Sequence, residues 1–314
     1  MRFEITKEEA GTNVRTFIRQ RLNPSSKMLK YLKYRPDGIC VNGAHCTVRY
    51  VLQEGDVLDV AVSDGEASDR IAPVDLPIDI LYEDDTLILP SKPPYMPTHP
   101  SHDHYDDTLA NALAFRYASL DIPFVFRPIN RLDRNTSGLL LIAKNKLSAG
   151  RLTRSLEKGR IRKTYLAVLD GEMPLGIGVI DACLHRTAKS IIVREVCSPD
   201  APDADAARTE YEVLCAQNGH TLVRAHPITG RTHQLRVHFA SLGHPITGDD
   251  LYGTPTEAIG RHALHAVQIT FPHPANDEEC TFTAPLPADM LALVDAHFPD
   301  FKLSQALGTE VAKP

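Results

Sequence analysis

Asp133 stands between two arginines in the run Ile129-Asn130-Arg131-Leu132-Asp133-Arg134-Asn135-Thr136-Ser137-Gly138-Leu139-Leu140-Leu141. The flanking guanidiniums favour the ionised carboxylate, because a nearby opposite charge stabilises the charged form. A core strand has no use for a carboxylate there, and a surface loop has no use for the three leucines. The pattern places a charged group on a loop at the mouth of a buried strand, where reacting groups are often found. Such a carboxylate is available as a nucleophile or a base. Two later runs could join it. Arg160-Ile161-Arg162-Lys163-Thr164-Tyr165-Leu166-Ala167-Val168 predicts a strand whose alternate residues face opposite sides. Thr229-Gly230-Arg231-Thr232-His233-Gln234-Leu235-Arg236-Val237-His238 leads into a helix predicted over 232–242, ended by Gly243 and Pro245. Arg231 thus sits near a helix start, where the macrodipole disfavours a cation by about a few tenths of a kcal/mol. An arginine kept there points to a fixed anionic partner.

The elements that would carry these groups follow from hydrophobic periodicity and turn residues. Val14, Phe17 and Ile18 have helical spacing, as do Met28, Leu29 and Leu32, with Ser25 or Ser26 as a cap for the second helix. A hairpin is expected at Ile39-Cys40-Val41, turning at Asn42-Gly43 and returning through Cys46-Thr47-Val48. A half-buried strand is expected over 57–62. Residues 63–77, with Gly65, Pro73, Pro77 and few large apolar residues, predict a linker. Beyond it, strands are expected at 78–82, 87–89, 163–169 and 190–196. Helices are expected at 107–120 and 147–158. A second hairpin should pair 210–215 with 221–224 around Asn218-Gly219. The result is an α+β fold built on a largely antiparallel sheet, with residues 78–300 as its main domain and a weakly patterned tail from 301 to 314.

Composition narrows the function classes. The 314-residue chain has room for one large and one small domain. No apolar run is long enough to span a bilayer, and the N-terminus lacks the apolar region of a secretory signal. Cys40, Cys46, Cys183, Cys197, Cys215 and Cys280 are scattered and form no Cys-x-x-Cys pair. They read as reduced thiols in a cytoplasm, with no structural zinc site. His99, His102, Asp103 and His104 lack strand or helix spacing and read as a loop rather than metal ligands. The net charge of −6 is unevenly spread: residues 1–50 carry ten basic and four acidic side chains, a net +6, which leaves −12 for the rest. That asymmetry suggests a basic module joined to an acidic body. No nucleotide-cofactor fingerprint is present.

The Asp133 run resembles the catalytic motif of the RluA-type pseudouridine synthases, His-Arg-Leu-Asp-x-x-Thr-Ser-Gly-Leu. Arg131, Leu132, Asp133, Thr136, Ser137, Gly138 and Leu139 match it, and Asn130 stands where the family has His. Lys163, Tyr165 and Ala167 resemble the family's Lys-x-Tyr-x-Ala motif. Residues 230–238 resemble its Gly-Arg-Thr-His-Gln-x-Arg-x-His motif. Lys92-Pro93-Pro94-Tyr95 resembles its Lys-Pro-x-Gly segment, with Tyr95 in place of a glycine, so a different loop backbone is expected there. Residues 248–253 and 261–266 resemble weaker family segments, given structural or RNA-edge roles. Residues 12–62 are similar to the alpha-L RNA-binding domain that often precedes this fold.

The resemblance implies an RNA isomerase that needs no cofactor or metal and acts on structured RNA. Asp133, Tyr165 and Arg231 would be its catalytic residues, with Arg231 holding Asp133. Arg131, Thr136 and Leu235 would be substrate-binding, with Leu235 beneath the base. Arg15, Lys27, Lys30, Lys33 and Arg35 of the N-terminal module (residues 1–62) would face phosphates. Ribosomal RNA is the favoured target and transfer RNA the alternative. A monomer with no membrane partner is expected. Asp133 could attack C1′ or remove a sugar proton, and the sequence leaves both routes open. The competing readings are a non-catalytic RNA-binding protein of the same fold and a glycosidase-like hydrolase. The latter normally needs a second carboxylate.

Overall fold

The computed structural model describes residues 1–62, 71–188, 190 and 192–302. The N-terminal unit contains β1 (Arg2–Glu4), α1 (Val14–Leu22), α2 (Ser26–Tyr34), β2 (Ile39–Val41), β3 (Ala44–His45) and β4 (Val57–Val60). Its four strands form a sheet in the order β1-β4-β2-β3. Asn13 caps α1 by accepting from the Thr16 amide, and Ser25 caps α2 by accepting from the Met28 amide. The expected hairpin turn takes φ of 51° at Asn42 and 81° at Gly43, which these two residues adopt at little cost. Its return strand is Ala44–His45 rather than 46–48, because a two-residue turn makes Ala44 the first residue able to pair.

The larger unit continues with β5 (Asp79–Glu83), β6 (Leu87–Lys92), α3 (Leu109–Ser119), β7 (Ser137–Leu139), β8 (Ile142–Ala143), α4 (Lys146–Glu157) and β9 (Arg162–Asp170). Then come β10 (Gly176–Asp181), β11 (Cys183–Arg186), β12 (Arg194–Cys197), β13 (Arg208–Gln217), β14 (His220–Pro227), α5 (Gln234–Ser241), β15 (Leu264–Pro272), β16 (Glu279–Thr283) and α6 (Ala288–His297). A ten-stranded sheet runs β10-β13-β14-β9-β15-β7-β6-β5, with β16 added on β15 and β8 on β6. Its ladders are antiparallel except β7 against β15.

Both faces of the sheet are covered. Ile88 and Leu140 point into the main core with α3, α5 and α6, while Leu87, Leu89, Leu139 and Leu141 pack on the other side with Leu152 of α4. Burial on two faces explains the unbroken leucine run after Asp133. Gly138 makes the parallel pairing possible. It has φ of 113°, and a Cβ there would lie 2.3 Å from the Ala266 carbonyl oxygen.

The first part of the expected 63–77 linker, residues 63–70, lies outside the described residues, as do 303–314 of the expected tail. Residues 71–77 are not loose. The Asn111 side chain donates to Ala72 O at 2.8 Å, and Ile71 and Leu76 pack against the main core. The two units touch through α4. Leu147 joins the N-terminal core. Arg151 donates to Arg21 O and Leu22 O at the end of α1 and to Pro274 O, and Arg154 donates to Asn23 O.

Candidate active site

The Asp133 loop is fixed from several directions. Asn130 Oδ1 accepts from the Leu141 amide at 2.8 Å, and its Nδ2 lies 3.4 Å from Leu139 O. The Ile129 amide donates to Leu141 O. The Asn130 side chain thus extends a short antiparallel pairing where the backbone turns away. Leu132, buried, exchanges hydrogen bonds with the Thr98 hydroxyl. The Thr136 amide closes a turn on Asp133 O at 3.1 Å.

Two buried cations hold the far side of the loop. Lys92 Nζ donates to Pro93 O, Met96 O and Arg134 O at 2.8, 2.8 and 3.0 Å. Burial pushes the Lys92 amine down to about 7, with Arg261 adding to the shift and Asp133 opposing it. Three acceptors need three N–H donors, which only the ammonium supplies, so we assign Lys92 as charged. Arg261 forms a bidentate pair with Asp289 of α6 and donates to Asn135 O at 3.1 Å.

Tyr95 departs from the sequence expectation of an altered loop. It takes φ of 66° despite its side chain. Lys92 binds the carbonyls of Pro93 and Met96 on either side of it, and the Tyr95 ring stays half exposed, so the glycine-like turn persists.

Asp133 is half-buried, and its carboxylate has no hydrogen-bond or ion-pair partner among the described residues. It opens on a cleft of about 490 Å³ that brings together Arg131, Asp133, Thr136, Tyr165, Arg231 and Leu235. Tyr165 of β9 is only 7% exposed. Burial, reinforced by the Asp133 charge, pushes its phenol well above the usual range, so it is protonated at neutral pH. Leu235 is buried and belongs to the main core as well as to the cleft lining. Thr136 is also buried, and its hydroxyl pairs with His262 Nε2 at 2.8 Å. Arg131 is exposed and reaches Thr232 Oγ1 at 3.5 Å, the limit of a hydrogen bond.

Arg231 does not hold Asp133. Its Nη1 lies 3.1 Å from Asp205 Oδ1, and its Nε donates to Ala206 O at 3.0 Å. The reason lies in the local turn. Gln234 Oε1 accepts from the Thr229 hydroxyl and the Arg231 amide, so α5 starts at Gln234, with His233 as its cap at φ of 57°. Arg231 therefore precedes the helix and turns toward the segment before β13. The anionic partner expected for it exists, but it is Asp205. The Arg236 guanidinium feels the Asp133 charge, and it is buried and paired bidentately with Asp249 at 2.6 and 2.7 Å.

His99, Lys163, His233 and Arg236 also line the cleft, and the sequence reading gave them no catalytic or substrate-binding role. Lys163 and Arg236 lay within quoted motifs, so the available signal was their place beside Tyr165 and Arg231. The basic residues of the N-terminal module stand apart from the cleft. Arg15, Lys27, Lys30 and Lys33 are exposed. Arg35 is largely neutralised, since it forms a bidentate pair with Asp37 and donates to the Tyr31 hydroxyl. Among the described residues, no three His, Cys, Asp or Glu side chains cluster as a metal site. His104 pairs with Asp107, and His99 packs edge-on against Phe126.

The model of the RNA pseudouridylate synthase family matches residues 86–241, which include the Asp133 loop, the Tyr165 strand and the Arg231 turn. An uncharacterized RNA pseudouridine synthase of Bacillus subtilis, YjbO, is 38% identical over 273 residues, covering 87% of this chain and 95% of that protein. The chain belongs to the RNA pseudouridine synthases. The ribosomal large subunit pseudouridine synthase D of Escherichia coli is 34% identical over 254 residues, 76% of each chain, which puts this synthase in the RluA/RluD type. The solved human RNA pseudouridylate synthase domain containing 1 aligns with a TM-score of 0.59 at 27% identity, covering 76% of this chain and 97% of that one. The synthase is thus an isomerase acting on RNA.

Proposed function

We propose that this synthase isomerises uridines of large-subunit ribosomal RNA in the cytoplasm, with Asp133 as the reacting carboxylate. The observation that carries the assignment is Asp133 itself. Its backbone is held by Lys92, Arg261, Thr98 and Asn130 through its neighbours, yet its carboxylate is left unpaired at a cleft floored by Tyr165. A structural aspartate would be paired. Relatives named as large-subunit synthases, in Escherichia coli and Vibrio cholerae, support the ribosomal target.

The reaction breaks N1–C1′, turns the uracil, and joins C5 to C1′. Asp133 can attack C1′, or it can take a sugar proton to give a glycal-like species. Tyr165 offers its ring to the freed base. Burial keeps its phenol protonated, so it serves as platform and hydrogen-bond donor. Leu235 packs beneath the base. The uridine must leave its stack to reach this depth, which favours loop targets.

The N-terminal unit would act as the alpha-L module, with Arg15, Lys27, Lys30 and Lys33 contacting phosphates and giving affinity without sequence choice. The test is site-resolved pseudouridine mapping of total RNA from cells lacking the gene, rescued with wild type or Asp133→Ala. A ribosomal site that vanishes and returns only with intact Asp133 is expected. A site in transfer RNA would overturn the target, and rescue by Asp133→Ala would overturn the role of the carboxylate.

A further inference from the structure

Lys163 is the cleft cation that the described fold leaves uncompensated. Of the cationic groups around the cavity, Arg236 is paired with Asp249 and Arg231 with Asp205, while Arg131 is exposed to solvent. Lys163 is half-buried and lines the same cavity, but its ammonium has no hydrogen-bond or ion-pair partner among the described residues. Burial lowers its affinity for the proton, and no carboxylate among the described residues pairs with it to offset that. A desolvated cation without a counter-charge is costly, and a fold tolerates it where a ligand supplies the charge.

Its position limits what that ligand can be. Lys163 and Tyr165 are two residues apart on β9, so their side chains leave the same face of the sheet, roughly 7 Å apart along the strand. Tyr165 lies at the deep end, where a base would rest. Lys163 Nζ lies beside the backbone of Gly230, 3.8 Å from where a Cβ would stand, at the turn that carries Thr229 and Arg231. A group bound by both residues must be flat and apolar at one end and anionic at the other, with a spacer about as long as a ribose between them.

Resting on the synthase reading above, we propose that Lys163 binds a phosphate of the flipped target nucleotide and so fixes the depth at which C1′ meets Asp133. Lys163 is a substrate-binding residue in this assignment. The phosphodiester charge replaces the missing counter-ion, and ammonium-to-phosphate contacts are among the stronger hydrogen bonds available.

The probes are uridine, uridine 5′-monophosphate, uridine 3′-monophosphate and inorganic phosphate, titrated by NMR into wild type, Lys163→Met and Lys163→Arg. We expect one monophosphate to bind wild type about tenfold more tightly than uridine, the size of one charge-assisted contact. That advantage should disappear in Lys163→Met and persist in part in Lys163→Arg, with uridine binding unchanged in all three. Inorganic phosphate should bind more weakly than either monophosphate. The proposal is overturned if the advantage survives in Lys163→Met, or if neither monophosphate exceeds uridine in wild type. It is equally overturned if Lys163→Met also loses uridine, which would make the lysine a support of the cleft, or if inorganic phosphate binds as tightly as the nucleotides. The rescue experiment with Asp133→Ala does not involve Lys163, so the two readings fail separately.

Discussion

Asp249→Asn isolates what the buried ion pair behind α5 contributes. In the wild type, Asp249 Oδ2 accepts from Arg236 Nε at 2.6 Å. Asp249 Oδ1 accepts from Arg236 Nη2 at 2.7 Å and from the Leu251 and Tyr252 amides at 2.9 and 3.1 Å. The Arg236 and Asp249 side chains are 5% and 0% exposed. An asparagine keeps one oxygen, which stays with the two backbone amides, and turns an NH₂ group toward the Arg236 N–H. One charge-assisted bond becomes a donor facing a donor, and the guanidinium keeps as counter-charges only Asp250, which is mostly exposed, and the unbonded Asp133 across the cleft. Breaking one side of such a pair costs about 3–5 kcal/mol. Adding Arg236→Met removes the stranded cation, so the double variant should fall short of the summed single losses by roughly 2 kcal/mol. The pair depresses the Asp249 carboxyl below its ordinary value, chiefly through Arg236 and against burial. Its stabilisation is therefore full above the unfolded value of about 3.9 and is lost as pH falls toward the lower folded value. Urea unfolding at pH 7 measures all three variants. A loss below about 1 kcal/mol for Asp249→Asn, or strict additivity in the double variant, would refute the reasoning.

Three other perturbations have defined outcomes. Asn130→Ala orphans the Leu141 amide and should cost about 1–3 kcal/mol, while the pH dependence of turnover keeps its shape because asparagine does not titrate. A reshaped profile with folding and RNA binding intact would contradict that. Gly138→Ala must hold a side chain at φ of 113° against the Ala266 backbone, and strain plus overpacking predict a loss of roughly 3–5 kcal/mol. A melting temperature within about 2 °C of wild type would count against the close approach of β7 and β15. His262 and His265 are pushed down to about 3, mainly by burial, with Arg236 or Arg261 adding to it. The folded state thus resists protons that the unfolded state takes up below about pH 6.5. Stability should fall as pH drops from about 6.5 to 5, with a slope for each histidine that approaches about 1.4 kcal/mol per pH unit at the lower end. Urea midpoints that stay flat over that window would exclude it.

The parts of the fold that were legible in the sequence are those written locally. Ser25 before α2, Asn42-Gly43 and Asn218-Gly219 each state a cap or a turn within a few residues, and each is found in place. The strand β15 was missed because it lies between β9 and β7 and is covered on both faces, so it shows no alternation. The helix α6 was missed although Met290, Leu293 and Val294 have helical spacing after Pro287. Linear motifs collected the cleft residues, since Asp133, Tyr165 and Leu235 do converge. They did not give pairing. Asp205 is 26 residues before Arg231, and nothing local marks it as the partner. The same holds for Lys92, whose three acceptors include Arg134 O, 42 residues away.

Part of the join between the two units, beside the packing of Leu147 and the contact of Lys146 with the Tyr31 ring, is made by Arg151 and Arg154, whose acceptors on α1 are main-chain carbonyls at its closing turn. A helix end leaves such carbonyls without intrahelical donors, and here the neighbouring unit supplies them. These bonds read backbone shape and ignore side-chain identity. Sequence drift along the outer face of α1 therefore leaves these bonds untouched, whereas a shift of one residue in where α1 ends removes them. The exposed face of the N-terminal unit can therefore change while these bonds keep holding it to the larger unit.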